Sequence, residues 1–397
     1  MDKTDMCNSS MVSTSHDVEE SWDDEFQQLV QTFPKDKSFT GMNLYFFQGF
    51  WCPSIVLKAV ISCQKHFQAF DSDIIIATLP KCGTTWLKAL TFSTLYRNQF
   101  AREKNPLLTC NPHSLVRFID YDFYFNDTCP DLKNCTLYQP RLFSIHLPYA
   151  SLPTSIKDSN CKIVYLCRNP MDTLISFWSF FSRLRGEGFE PVSLDEAFEM
   201  FCQGINEFGP FFDHVLGYWR ASQEKSSKIL FLQYEDLKED INSHLKKLAM
   251  FLGVPFTEEE EKQGVVEELA KICSFENMKD LEVNKKGVQT FGYPQETFLG
   301  KIKTYEIPRE AFFRKAKVGD WSNYLTPSMI ERLEKLIQEK LDNSVCNVIR
   351  GHPKPCYEFW RGSLGPTLDL RAEGLLWNDS GPMGKSCLGA SLELLLM

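Results

Sequence analysis

Four residues able to hold negative charge or move a proton stand at the ends of four short apolar runs. Lys81 follows "IIIATLP" (74–80), His146 closes "RLFSIH" (141–146), Arg168 follows "KIVYLC" (162–167) and Tyr234 closes "KILFLQY" (228–234). Two cations, an imidazole and a phenol in such positions point to an anionic ligand and a proton transfer. The first of these ends continues as "KCGTTWLKAL". Gly83 lets the backbone approach an anion with no Cβ in the way. Thr84 or Thr85 can cap a helix carrying Trp86, Leu87 and Leu90 on one face. A helix start presents free N–H groups and the positive end of its dipole, which makes it an anion site. With the Lys81 charge added, the junction is predicted to hold a phosphate or a similar oxyanion. It is not a Walker A loop, because its lysine precedes its only glycine and does not sit directly before Ser/Thr. Arg168 also stands where a Walker B strand would offer a metal-binding aspartate, although Glu235 and Asp236 in "LQYED" leave a nucleotide kinase or NTPase open as an alternative.

The apolar runs must be the elements that position these residues. Near-continuous apolar character over 74–76, 163–167 and 229–232 suits strands buried on both faces, hence a parallel sheet. Helical patterns separate them. In "RNPMDTLISFWSFFSRLR", Asn169 is placed as N-cap, Pro170 at the first helical position and Asp172 in the first turn. Leu174, Phe177, Trp178 and Phe181 then repeat at helical spacing. "SLDEAFEMFCQGI" and "INSHLKKLAMFLG" read likewise, the latter closed by Gly253. Strands alternating with helices predict an α/β fold, a single doubly wound domain with a central parallel sheet and helices on both faces. In such sheets ligands bind outside the carboxyl ends of the strands, where the four residues lie.

The chain has 397 residues, 43% of them apolar, enough to bury a full core. Its net charge of −9 is unevenly placed: residues 1–30 hold eight acids and one lysine, a net −7. The expected organisation is an acidic disordered leader over 1–27, a catalytic domain over 28–342 and a Gly- and Pro-punctuated extension over 343–397. No basic block suits nucleic acid, and neither a signal peptide nor a run of transmembrane length is evident. The fourteen cysteines form no CxxC pair, so reduced thiols, no zinc site and a cytoplasmic location are expected. Sequons at Asn8, Asn126, Asn134 and Asn378 are then expected to stay unglycosylated.

"PKCGTTWLKAL", "RLFSIHLPYASLP", "KIVYLCRNPMDTLISFW" and "FFRKAKVGDWSNYLTPSM", in that order, resemble the cytosolic sulfotransferases. "GPFFDHVLGYWRAS" and "ILFLQYEDLKED" are most similar to the plant branch, and the resemblance spans about 28–342. It implies that a sulfuryl group passes from 3′-phosphoadenosine 5′-phosphosulfate (PAPS) to a hydroxyl of a small organic acceptor, in plant secondary metabolism. By resemblance, Lys81, Cys82, Gly83, Thr84, Thr85 and Trp86 form a P-loop-like 5′-phosphosulfate loop, Lys81 stabilising the leaving oxygen. Arg168 and Ser176 match the 3′-phosphate site, with Arg314, Lys315 and Ala316 as a further clamp. Trp86, Tyr234, Ser274, Phe275 and Met278 match contacts to the adenine nucleotide. His146 matches the catalytic base, and an unperturbed histidine titrates near pH ~6.5. The other six histidines are read as structural. No metal is required, since lysine can do the neutralising that Mg²⁺ does in kinases.

Two departures stand out. Cys82 replaces the family's usual serine, a weaker donor toward the phosphosulfate and a possible oxidation site. Ala316 replaces a glycine, at a cost of about 1 kcal/mol or more if the backbone there needs positive φ. These departures and the long tail leave a non-catalytic nucleotide-binding relative as a further alternative. Tyr45, Phe46, Trp51, Tyr121, Phe123 and Tyr149 are candidates for the acceptor pocket, and a monomer or weak homodimer is expected.

Overall fold

The computed structural model describes residues 25–345, apart from 126, 134, 136, 137, 185–191, 292–295, 298, 299 and 302–304. Residues 1–24 and 346–397 lie outside the described residues, as do all four sequons. The chain enters through an antiparallel sheet of β1 (Lys35–Lys37), β2 (Asn43–Phe47) and β3 (Phe50–Pro53), followed by α1 (Leu57–His66).

The central sheet comprises β4 (Ile74–Thr78), β5 (Leu142–Ile145), β6 (Lys162–Cys167) and β7 (Ile229–Gln233), all parallel, in the order β5-β4-β6-β7. Each strand alternates its side chains between two separate cores, as a strand's period of two requires. Ile75, Ala77, Phe143, Ile145, Ile163, Tyr165 and Ile229 enter the first core. They meet Val60 and Cys63 of α1, and Leu174 and Ile175 of α3 (Pro170–Leu184). Phe198 of α4 (Leu194–Gln203) and Val215 and Tyr218 of α5 (Phe211–Glu224) join that core. Ile74, Ile76, Leu142, Val164, Leu166, Leu230 and Leu232 enter the second. They meet Leu87 and Leu90 of α2 (Thr84–Leu95), Leu245 and Leu248 of α6 (Ile241–Leu252), and Leu269 of α7 (Val265–Ile272). The doubly wound α/β reading is met. At the far end of the sheet from the candidate site, Arg141 Nε donates to Asp73 Oδ1 at 2.7 Å with both side chains buried, pinning β5 to the start of β4.

Local signals explain most helix limits. Asn169 Oδ1 accepts from the N–H groups of Met171 (2.9 Å) and Asp172 (3.4 Å), capping α3. Gly253 ends α6 at φ +82°, a conformation that favours glycine. Beyond the main sheet come α8 (Phe275–Asp280), then β8 (Val288–Phe291) paired antiparallel with β9 (Tyr305–Pro308), and a final helix α9 (Pro327–Val345). That last helix runs three residues past the expected domain end at 342.

Candidate active site

One cavity of about 310 Å³ opens at the carboxyl ends of β4, β5, β6 and β7, and Lys81, His146, Arg168 and Tyr234 all line it. The convergence expected from the strand ends is therefore present.

The β4–α2 loop forms one wall of it. Gly83 stands at the N-cap of α2 with φ +101°, and no side chain caps this helix. Capping by Thr84 or Thr85 is thus not what the structure shows, because both hydroxyls are engaged elsewhere. Thr84 Oγ1 lies 2.7 Å from Thr78 Oγ1, and Thr85 Oγ1 lies 2.9 Å from His113 Nε2. The first N–H groups of α2 keep no helical partner, and Thr84, Thr85 and Trp86, which carry them, line the cavity. Gly83 is required for a second reason: a Cβ there would meet Tyr234 Cδ2 at 2.9 Å and Leu166 Cδ2 at 3.1 Å. The glycine admits the tyrosine ring as much as any anion.

Lys81 itself has φ +69°, and its ammonium lies 3.5 Å from the centroid of the Phe180 ring. Burial, with repulsion from Arg168, Arg314 and Arg183, pulls it down to about 7. Such crowding of positive charge is what an incoming polyanion relieves. Cys82 corrects an expectation. Its side chain is buried away from the cavity, with Sγ 3.6 Å from Thr173 Oγ1, and burial pushes the thiol up to about 12. It offers no side-chain donor to a phosphosulfate and little thiolate to oxidise.

Beside the loop, buried Arg168 sets its guanidinium 4.6 Å over the Tyr234 ring and donates to the carbonyl of Lys317 at 3.2 Å, leaving Nε buried without a protein partner. Ser176, Arg314 and Ala316 border the same region. Ala316 has φ +50°, so the residue that departs from the family's glycine does sit in the left-handed region. Lys315 turns away: its Nζ binds Asp320 Oδ1 (3.0 Å) and the Tyr324 hydroxyl (3.1 Å), and it is absent from the cavity wall. Asp172 holds this segment in place, accepting from the N–H groups of Gly319 (2.8 Å) and Trp321 (3.1 Å). Trp86, Tyr234, Ser274, Phe275 and Met278 also line the cavity, with the Trp86 and Tyr234 rings edge-on at 5.3 Å.

His146 lies at the other end, its ring 4.7 Å from that of Phe118 and 5.4 Å from that of Phe208. Its Nδ1 sits 2.7 Å from the Thr78 carbonyl, which can only accept, so Nδ1 carries the proton and Nε2 is the free base. Burial is the main cause that lowers its pKa to about 3, with Lys88, His214 and Lys81 adding repulsion. The ordinary value near 6.5 expected from sequence therefore does not apply, and the imidazole is neutral throughout the physiological range. His214 steadies the backbone there, its Nε2 donating to the His146 carbonyl at 2.9 Å while Tyr165 OH donates to its Nδ1 at 2.9 Å.

A family model described as the sulfotransferase domain matches residues 71–345. The chain belongs to the sulfotransferase family. Cytosolic sulfotransferases 15 and 14 of Arabidopsis thaliana are each 48% identical to it, over 324 and 332 residues, covering 81% and 82% of this chain and 86% and 91% of their own. A crystal structure of a putative steroid sulphotransferase from Arabidopsis thaliana is 36% identical, with a TM-score of 0.62 over 83% of this chain and 96% of that one. A mouse sulfotransferase complexed with PAP is 25% identical, with a TM-score of 0.57 over 81% and 99%.

Several residues of this sulfotransferase's cavity were not legible beforehand. Arg183 and Ser179 reach it from α3, Lys238 from the short helix Tyr234–Glu239, and His113 from the short helix Pro112–Leu115. Arg183 and Ser179 lie seven and three residues beyond Ser176, a helical spacing that could have found them. His113 carried no such signal and was grouped with the structural histidines. Of the aromatic residues expected around an acceptor, only Tyr121 borders the cavity; Phe118, Phe180, Phe181, Phe208, Phe291 and Phe312 form that wall instead.

Proposed function

We propose that this sulfotransferase uses PAPS as donor and sulfates a hydroxyl of a small, largely apolar plant metabolite, in the cytoplasm as its relatives' names suggest. Bound PAPS supplies an activated sulfuryl group whose departure leaves negative charge on a phosphate oxygen. The protein's own groups suit that ligand: an uncapped helix start, a buried guanidinium nitrogen lacking a partner, and an ammonium depressed by burial and by neighbouring arginines. Lys81 and the first N–H groups of α2 hold the 5′ end and neutralise the oxygen that leaves. Arg168, Ser176 and Arg314 take the 3′-phosphate, with Ala316 beside them on the cavity wall. Trp86, Tyr234, Ser274, Phe275 and Met278 enclose the adenosine. Six phenylalanines and Tyr121 exclude water and orient the acceptor. His146 accepts the hydroxyl proton at Nε2.

The observation that carries this reading is the single cavity joining Lys81 to the free nitrogen of His146. A kinase reading finds no support, since β6 delivers Arg168 where a metal-binding carboxylate would be needed. The test is incubation with PAPS and a panel of hydroxylated plant metabolites, with products identified by mass spectrometry. His146→Ala is expected to lower kcat by about 10²–10⁴-fold while still binding 3′-phosphoadenosine 5′-phosphate (PAP). Full turnover in that variant, or PAP binding no better than ATP with Mg²⁺, would remove the proposal.

A further inference from the structure

Lys88 is fully buried, lies one turn beyond Thr85 on α2 and does not border the cavity. A buried ammonium is costly unless something engages it. Its Nζ lies 3.4 Å from the centroid of the Phe118 ring and 3.2 Å from His113 Nδ1. Burial pulls its pKa well below the ordinary value, and attraction from Asp122 and Asp120 in the turn at Ile119–Phe123 opposes that fall. On the far side of the same imidazole, Nε2 lies 2.9 Å from Thr85 Oγ1.

The chemistry of the three groups sets a direction. The Phe118 ring face and the two aspartates favour the charged form of Lys88, and as an ammonium it donates and cannot accept. His113 Nδ1 must therefore accept, which places the ring's one proton on Nε2, and Nε2–H must donate to Thr85 Oγ1. The hydroxyl proton of Thr85 is then left over, on a residue that does border the cavity. With the opposite tautomer, Thr85 would spend its proton on His113 and turn a lone pair toward an arriving anion. Burial lowers His113, with Lys88 the foremost charge opposing its protonation, which keeps the imidazole neutral as the chain requires.

We infer that Lys88 and His113 are positioning residues that, through two hydrogen bonds in series, aim the Thr85 hydroxyl proton at the 5′-phosphate end of the donor. The inference rests on the donor assignment proposed above. It assigns work to a lysine and a histidine that touch no reacting atom.

The test is a double-mutant cycle read by calorimetric binding of PAP. Thr85→Val is expected to weaken binding about tenfold, within the range for a hydrogen bond to a charged group. Lys88→Met and His113→Phe should each weaken it by a similar factor when Thr85 is intact. Neither should cost more than about twofold further in a Thr85→Val background. Thr85→Ser, which keeps the hydroxyl, should bind as the parent does and restore sensitivity to Lys88→Met. Losses that multiply in the double variants would overturn the inference, because a merely structural role acts alike with or without the hydroxyl. If Lys88→Met fails to fold, the His113→Phe cycle decides alone. A parent protein that binds no PAP would instead refute the donor assignment, whereas a parent that binds it with multiplying losses refutes only the relay.

Discussion

Binding of the donor's nucleotide should draw in a proton, and Lys81 is the reason. In the ligand-free protein burial and three arginines hold this group at about 7, so at pH 8 about one-tenth of it is charged. A polyanion beside it favours the ammonium and returns the pKa toward its ordinary 10.5. The sign follows: free pKa low, bound pKa high, so affinity is greatest below pH 7 and falls as the pH rises above it. If the bound value exceeds about 10, uptake at pH 8 is about 0.9 proton, and affinity falls about 50-fold between pH 7 and pH 9. The nucleotide's 3′-phosphate, with a second pKa of about 6, is already ionised in that window and adds little. Calorimetric titration of PAP at pH 8, in buffers of differing ionisation enthalpy, measures the uptake directly. Lys81→Met should bind more weakly and lose the slope. Uptake near zero at pH 8, with affinity flat to pH 9, would refute the reasoning.

Further outcomes follow from other features. Ala316→Gly should raise unfolding stability by about 1 kcal/mol in a urea titration and tighten PAP binding, because φ +50° disfavours a Cβ. Gly83→Ala should destabilise by about 1–3 kcal/mol and abolish measurable PAP binding, since the new methyl must displace Tyr234 or Leu166. Cys82→Ser should leave PAP affinity within about twofold, because the side chain at 82 faces Thr173; a tenfold gain would restore the expectation drawn from sequence. His146, observed by proton NMR in the ligand-free protein, should stay neutral down to about pH 4, and titration near 6.5 would show its burial to be misjudged.

The strand ends were readable because a strand buried on both faces leaves an unbroken apolar run, and its polar terminus marks the rim. The helix that carries Ser176 was equally plain, since Asn169 and Pro170 write its start. What escaped notice depended on contacts between distant segments. His113 and Lys88 meet only because a short helix folds against α2, and neither residue carries a pattern that announces it. Lys315 looked like its neighbour Arg314, yet Asp320 and Tyr324 compete for its ammonium and win. Arg314 also pairs with Asp320, at 2.6 Å, but still borders the cavity. The threonines of the β4–α2 loop were assigned to capping, but a left-handed Gly83 releases them to bind across the loop instead. His146 was read with an ordinary basicity, because burial cannot be read from one residue type.

Asp172 joins two stretches far apart in sequence. By gripping the main chain at Gly319 and Trp321 it welds the stretch bearing Arg314 and Ala316 onto the helix bearing Ser176 and Arg183. If Arg314 and Ser176 share the donor's far phosphate, as proposed, they meet it already assembled before it arrives.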